Sequence, residues 1–272
     1  MSKKLASKGI DGLPDILPPK NDFVFKALFG DEENKEILIA FLEAVLVKSI
    51  SDLYILDPIN KKRSKDDKLS ILDVKVKLAN GEIITIEMQV RQIAQMRSRI
   101  TFCSARAVAD QLKSGKDYSE LKPVVSIIIM GETLIHESNK CHNVFLTMER
   151  DEHFVFNDLQ ETHVLDLTRI KNEKSETLSD WLSFINSEKE EDFMKIAKKN
   201  PMINNAFVTL KRISSNDTQR RLYLARLIQQ TDALTGENEA RREGLKEMFE
   251  FLRQGHSFED AEKRFFANRK VR

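Results

Sequence analysis

Two alternating apolar runs, joined through Ala79-Asn80-Gly81-Glu82, constrain this chain more tightly than any other feature. In residues 71–78, Leu72, Val74, Val76 and Leu78 share one face of a strand, while Asp73, Lys75 and Lys77 share the other. In residues 83–90, Ile84, Ile86, Met88 and Val90 point one way and Thr85, Glu87 and Gln89 the other. Directly opposed residues of an antiparallel ladder point to the same side, so the loop length must respect parity. A two-residue Asn80-Gly81 loop pairs Asp73 with Met88 and mixes the faces. A three-residue loop, with Gly81 left-handed as a bulge, pairs Val76 with Ile84 and Val74 with Ile86. Asp73 then stands opposite Glu87, with Cβ atoms roughly 4.5–5.5 Å apart.

Two carboxylates facing each other across a strand pair repel unless something offsets the charge. A divalent cation held by both does so, and hard cations such as Mg²⁺ take oxygen ligands from one or two carboxylates plus substrate phosphate. On pattern alone a solvated outer face, with Lys75 and Lys77 balancing the acids, accounts for the same residues equally well.

The rest of the chain reads as a mixed α/β core followed by helices. Gly12, Pro14, Pro18 and Pro19 break residues 1–21, which are expected to form a flexible tail. Phe25, Leu28 and Phe29 begin a helical pattern that Gly30 stops. A longer amphipathic helix over 33–48 turns Ile37, Leu38, Phe41, Leu42 and Val45 inward. A strand is expected at 53–56, then a basic loop, Lys61-Lys62-Arg63-Ser64-Lys65. After the hairpin come a helix over 96–113, a continuous apolar run at 123–130 with the look of a buried central strand, and weaker strands at 144–148 and 163–167. From about residue 176 the spacing is helical, with Trp181, Leu182 and Phe184, then 193–197, 203–210 and 220–228, and a solvated helix at 237–251. The expected division is therefore a tail at 1–21, a core at 22–172 and a helical region at 173–272.

Lys+Arg 44 against Asp+Glu 43 leaves a net charge of +1, so nucleic-acid affinity must come from a local patch rather than the overall field. The 41% hydrophobic content is enough to fill a core. Cys103 and Cys141 lack partners at zinc spacing, which argues against a disulfide framework or a zinc site. The first ten residues are basic without the apolar run of a signal peptide, and no window approaches the ~18 apolar residues of a span. The expectation is a cytoplasmic protein with no membrane partner.

An Asp on one strand followed by Glu-x-Gln on the next, Asp73 and Glu87-Met88-Gln89, resembles the PD-(D/E)XK nuclease superfamily. The ordered series around it is more specific. Asp22-Phe23-Val24-Phe25-Lys26 with Leu28-Phe29-Gly30 comes first, then Ile71-Leu72-Asp73-Val74 and Ile86-Glu87-Met88-Gln89. Arg97, Arg99, Gly115-Lys116-Asp117-Tyr118, Leu121-Lys122-Pro123-Val124 and His142-Asn143-Val144-Phe145 follow. Together these resemble the Rpn recombination-promoting nucleases, also called PD-(D/E)XK nuclease family transposases, over about 22–170 and more loosely to about 244. Two departures stand out: Phe102-Cys103 and Cys141 occupy positions where tyrosines are expected, and 247–272 does not follow the family's tail.

The resemblance implies a restriction-endonuclease-like core, a mixed sheet flanked by helices, and Mg²⁺- or Mn²⁺-dependent cleavage of DNA linked to recombination or transposition. It makes Asp73 and Glu87 metal ligands and puts Gln89 in place of the superfamily lysine. Gln carries no charge, so it would orient water or a phosphate oxygen by hydrogen bonds. Lys75, on the same face, and Asp22, at the first helix, are auxiliary candidates, although an N-cap is the simpler role for Asp22. For nucleic-acid contact the candidates are Arg97, Arg99 and Arg106 on a helix and Lys61, Lys62 and Arg63 in the basic loop. Surface arginines and a solvated charge run are the plain alternatives. His142 reads as structural. The rival function is a nuclease fold without useful catalysis, acting as a DNA-binding or protein-interaction module. A homo-oligomer through the C-terminal helices is the further partner expectation.

Overall fold

The computed structural model describes residues 12–56, 74–91, 93, 95–112, 115, 117–254, 257, 260 and 264, with side chains given for only part of the last helix. Asp73, the loop containing Lys61, Lys62 and Arg63, and the first three residues of the expected strand at 71–78 lie outside these. The elements in chain order are α1 (Asp22–Phe29), α2 (Lys35–Leu46), β1 (Leu53–Leu56), β2 (Val74–Leu78), β3 (Ile83–Gln89), α3 (Met96–Ala109), β4 (Val124–Met130), β5 (His142–Leu146), β6 (Gln160–Asp166), α4 (Glu176–Asn186), α5 (Glu190–Ala197), α6 (Pro201–Ser215) and α7 (Asp217–Arg253).

The strands make one mixed sheet in the order β1-β2-β3-β4-β6-β5. β1, β2 and β3 form an antiparallel meander, β3, β4 and β6 run parallel, and β5 returns antiparallel at the far edge. With helices against this sheet, the architecture is the restriction-endonuclease-like one. The hairpin has the register that parity demanded, Val74 opposite Ile86 and Val76 opposite Ile84. Gly81 sits at φ +91°, in the left-handed region, and its N–H donates to Leu78 O at 2.9 Å. β4 is buried along its whole length, as its continuous apolar run requires.

One face of the sheet, bearing Val74, Val76, Ile84, Ile86, Ile127 and Leu165, carries the main core. α1 and α2 lie on this side, with Phe25, Phe29, Leu38, Phe41 and Leu42 fully buried. Rings continue without a gap into the later helices: Phe29 to Trp181 at 6.1 Å between centroids, Trp181 to Phe184 at 6.2 Å, Phe184 to Phe193 at 5.3 Å, and Phe193 to Phe207 at 5.5 Å. Pro14–Arg220 is accordingly one compact unit, and the boundary expected at 172/173 runs through its core. Helical spacing shows that a helix has an apolar face, not which element that face meets.

The expected tail is also corrected over residues 14–21. Leu17 is fully buried, its N–H donates to Ser214 Oγ at 3.0 Å, and Arg220 Nη1 donates to Pro14 O at 3.0 Å. Asn21, rather than Asp22, caps α1, its Oδ1 accepting from the N–H groups of Phe23 and Val24. A second unit takes Met1–Leu13 with Arg221–Arg272. The helices expected at 220–228 and 237–251 are one continuous helix, α7, because Gly236 alone does not stop it. Among the described residues no helix is long and apolar enough to cross a membrane.

Candidate active site

The site begins with β3, which lies between β2 and β4 and is buried on both faces except at Gln89. On the face away from the main core it carries Thr85 and Glu87, only 3% and 4% exposed. The solvated face read from the sequence is therefore a covered one. α3 covers it, setting Met96 and Ile100 against Ile128, Met130 and Val164, and Ala107 against Ile83 and Val124. These residues recur at helical spacing, so the helix's apolar stripe lies on the sheet and its polar flank falls along β2 and β3.

Polar groups buried under α3 must find partners there. Thr85 Oγ1 lies 3.3 Å from Ser126 Oγ on β4, and Ser104 Oγ accepts from Gln160 Nε2 on β6 at 3.3 Å. Glu87 is met by Arg99 of α3, with Nη1 2.7 Å from Oε1. Burial pushes the Glu87 carboxyl above its usual range, and the Arg99 charge and hydrogen bond oppose that rise. Lys75 on β2 is half-buried. Burial lowers its pKa, and Asp110 just after α3 works against that shift.

Gln89 donates one amide N–H to Arg91 O at 2.9 Å, which leaves its amide oxygen for a cation and its second N–H for water or a phosphate oxygen. The other arginines point elsewhere. Arg97 forks onto the Glu137 carboxylate, at 2.9 and 2.7 Å, and onto Leu134 O; Arg106 faces Asp110 at 3.7 Å. Each arginine of the expected phosphate-binding helix thus meets an acid. Asp22 opens α1 on the opposite side of the sheet, where Gly30 at the helix end approaches Val74. The structure therefore brings together Glu87, Arg99 and Lys75 beneath one helix, with Gln89 at the strand end.

Ser104, Asp110, Ser126 and Gln160 escaped the sequence reading. The seven-residue spacing of Arg99 and Arg106 does put both on one helix flank, but which face of the hairpin that flank meets is a tertiary fact. A second polar cluster lies at the far edge of the sheet. His142 Nε2 and His163 Nδ1 are 2.7 Å apart, and His163 Nε2 lies 2.6 Å from Glu161 Oε1. His142 therefore has partners that its sequence neighbours did not reveal.

Among the described residues no group of three His, Cys, Asp or Glu side chains could hold a metal ion. Glu87 is one buried carboxylate, and Asp73 is outside the described residues. The oxygen-rich donors present, a carboxylate and an amide oxygen, fit a hard divalent cation once a second carboxylate joins them.

The model of the PD-(D/E)XK nuclease family transposases matches residues 19–240, and the chain belongs to that family. Nucleases of this superfamily are hydrolases that use divalent metal ions. No curated protein and no solved structure matches the chain.

Proposed function

We propose that this chain is a Mg²⁺-dependent DNA endonuclease that hydrolyses phosphodiester bonds in a recombination or transposition process. The observation carrying this reading is the buried Glu87 carboxylate on β3, one ladder step beyond the Val74–Ile86 pair. The alternation read from the sequence pairs Glu87 with Asp73, which lies outside the described residues. Asp73 and Glu87 would hold the cation. When bound, it would supply charge for the scissile phosphate and lower the pKa of a coordinated water.

The protein's own groups do the rest. Arg99 has five N–H donors and spends one on Glu87, so others can reach a phosphate oxygen from the same helix flank. Its guanidinium supplies the fixed positive charge that Gln89 lacks. Gln89, held through one N–H by Arg91 O, orients water or phosphate by its second N–H. Lys75 adds a second positive charge beside the hairpin. Contacts to the DNA backbone are assigned to Lys61, Lys62 and Arg63, the densest basic run of the sequence.

The test is nicking of a supercoiled plasmid in Mg²⁺, Mn²⁺ or Ca²⁺ by the wild type, Asp73→Ala and Glu87→Ala. Metal-dependent cleavage lost in both variants supports the assignment, and wild-type rates in either variant sink it. One observation favours the second reading, a nuclease fold kept as a DNA-binding or protein-interaction module: the residue in the lysine's place is a neutral amide, with one of its two N–H groups tied to the backbone. In that case the wild type binds DNA without cutting it under any of the three metals.

A further inference from the structure

The two edges of the sheet are finished differently. At β1 the Ile55 N–H donates to the Glu32 carboxylate at 3.2 Å, and Lys35 lies over the Tyr54 ring. Charged side chains thus blunt that edge, as edge strands in natural proteins usually are blunted. β5, at the other edge, is His142-Asn143-Val144-Phe145-Leu146, with no Lys, Arg, Asp, Glu or Pro. Asp166 N donates to Cys141 O at 2.8 Å, which fixes the alternation of the ladder. Asn143 and Phe145 exchange bonds with β6, while His142, Val144 and Leu146 direct their N–H and C=O groups at the open edge.

The side chains along this edge are as unusual as its backbone. Val144 is 47% exposed, Phe145 46% and Leu146 41%. The hairpin that follows, closed by the Met148–Val155 bridge, adds Met148, Phe154, Val155 and Phe156, the last 73% exposed. Phe145, Phe154 and Phe156 alone leave roughly 350 Å² uncovered, at ~200 Å² per residue. A monomer's largest apolar patch is typically ~300–600 Å², and here Val144 and Leu146 add apolar surface on the other face of β5, with Met148 and Val155 in the hairpin beyond it.

We propose that β5 is a homodimer interface, pairing antiparallel with β5 of a second copy about a two-fold axis at Val144. The two six-stranded sheets then become one. A strand is self-complementary under such an axis, because each outward N–H meets the outward C=O of its own equivalent. With Val144 opposite itself, Asn143 faces Phe145 and His142 faces Leu146, so no ionised side chains of like sign are opposed. Counted on both copies, the three phenylalanines contribute roughly 700 Å². With Val144, Leu146, Met148 and Val155 the apolar area exposed on the two copies exceeds the ~1,000 Å² expected of a specific interface; it is shared between the two faces of the joined sheet, Val144 and Leu146 on one and Phe145 on the other. Trp181, Phe184, Phe193 and Phe207 of α4–α6 are buried inside the unit, so the expected oligomer through the C-terminal helices would rest instead on exposed residues such as Val208 and Leu222. This inference does not depend on the nuclease reading.

The test is sedimentation equilibrium of the full chain across the micromolar range, with Val144→Lys and Val144→Asp beside the wild type. The wild type should sediment at twice 31.4 kDa and each variant as a monomer. Circular dichroism should be unchanged, because Val144 is half exposed, and the melting temperature should fall only to that of the wild type diluted until it dissociates. Mixing the two variants should restore a dimer, because only this register puts position 144 against itself. A wild type that is monomeric throughout, a Val144→Lys chain that still dimerises, or a mixture that stays monomeric would each overturn the proposal.

Discussion

Arg99 of α3 and Glu87 of β3 form an ion pair, 2.7 Å from nitrogen to oxygen, beneath a helix that shields the carboxylate almost completely and leaves the guanidinium about a third exposed. The pair ties the covering helix to the strand that carries the acid. A carboxylate buried to this degree is held ionised only by what surrounds it, so the two residues must be coupled energetically.

Arg99→Ala should destabilise the protein by about 1–3 kcal/mol, less than the ~3–5 kcal/mol of a fully buried pair because Arg99 is partly solvated. Glu87→Gln should change stability little, since it removes the buried charge along with its partner's task. Urea unfolding of both single variants and the double variant closes the cycle. Additive effects would show that the pair is not coupled. A divalent cation should raise the melting temperature of Arg99→Ala more than that of the wild type, and should leave Glu87→Gln unmoved.

Truncation after Asn172 should unfold the remaining chain rather than release a soluble core. The cut removes Trp181, Phe184, Phe193 and Phe207 from contact with Phe29 and Phe41. One such aromatic truncated to Ala costs about 3–5 kcal/mol, and a whole domain is stable by only about 5–15 kcal/mol. Loss of cooperative thermal unfolding in the truncated chain checks this. A sharp transition there would show that the sheet and α1–α3 suffice.

The histidines at the far sheet edge set a pH dependence. Burial, with repulsion from His163, pushes His142 down to about 4, and burial also lowers His163, against Glu161. Depressed imidazole pKa values mean that the unfolded chain binds protons first. Stability is then fully present above about pH 6.5 and is lost as pH falls toward 4. The slope contributed by each imidazole is at most about 1.4 kcal/mol per pH unit. Denaturant midpoints between pH 7 and 4.5 for wild type and His142→Gln should show a shallower decline in the variant. Parallel declines would assign the effect to other groups.

The hairpin was legible because strand periodicity is two and a one-residue slip flips every side chain. Val74, Val76, Ile84 and Ile86 admit one register, and Gly81 supplies its turn. The cover over Glu87 was not legible. Thr85, Glu87 and Ser126 look like a solvent face, and only the fold reveals that Arg99 and Ser104 arrive from a helix to satisfy that side of the sheet. The late aromatics told the same partial story: their spacing announced buried faces, while Phe29 and Phe41, the surface they bury against, lie more than a hundred residues away. Asp73, which the strand alternation pairs with Glu87, lies outside the described residues.

The last prediction separates the cations that could stand in for the superfamily lysine. Gln89 offers an oxygen and no charge, Lys75 is half-buried beside the hairpin, and Arg99 touches Glu87 directly. A neutral hydrogen bond is about half as strong as a charge-assisted one, so a working site needs one of the two cations at the phosphate. Removing a donor of this kind typically lowers the chemical step by about 10²–10³-fold. Arg99→Ala should therefore fall within that range, and Lys75→Ala should fall less, yet further than Lys77→Ala, whose lysine is exposed on the same strand. Gln89→Ala should slow cleavage by misplacing water or phosphate, and Gln89→Lys should retain or raise the rate. Single-turnover cleavage of supercoiled and single-stranded DNA reads all five variants. A loss larger in Lys75→Ala than in Arg99→Ala would move the compensating charge to β2. Equal rates for wild type, Arg99→Ala, Lys75→Ala and Gln89→Ala would leave Asp73 and Glu87 as the whole of the catalytic apparatus.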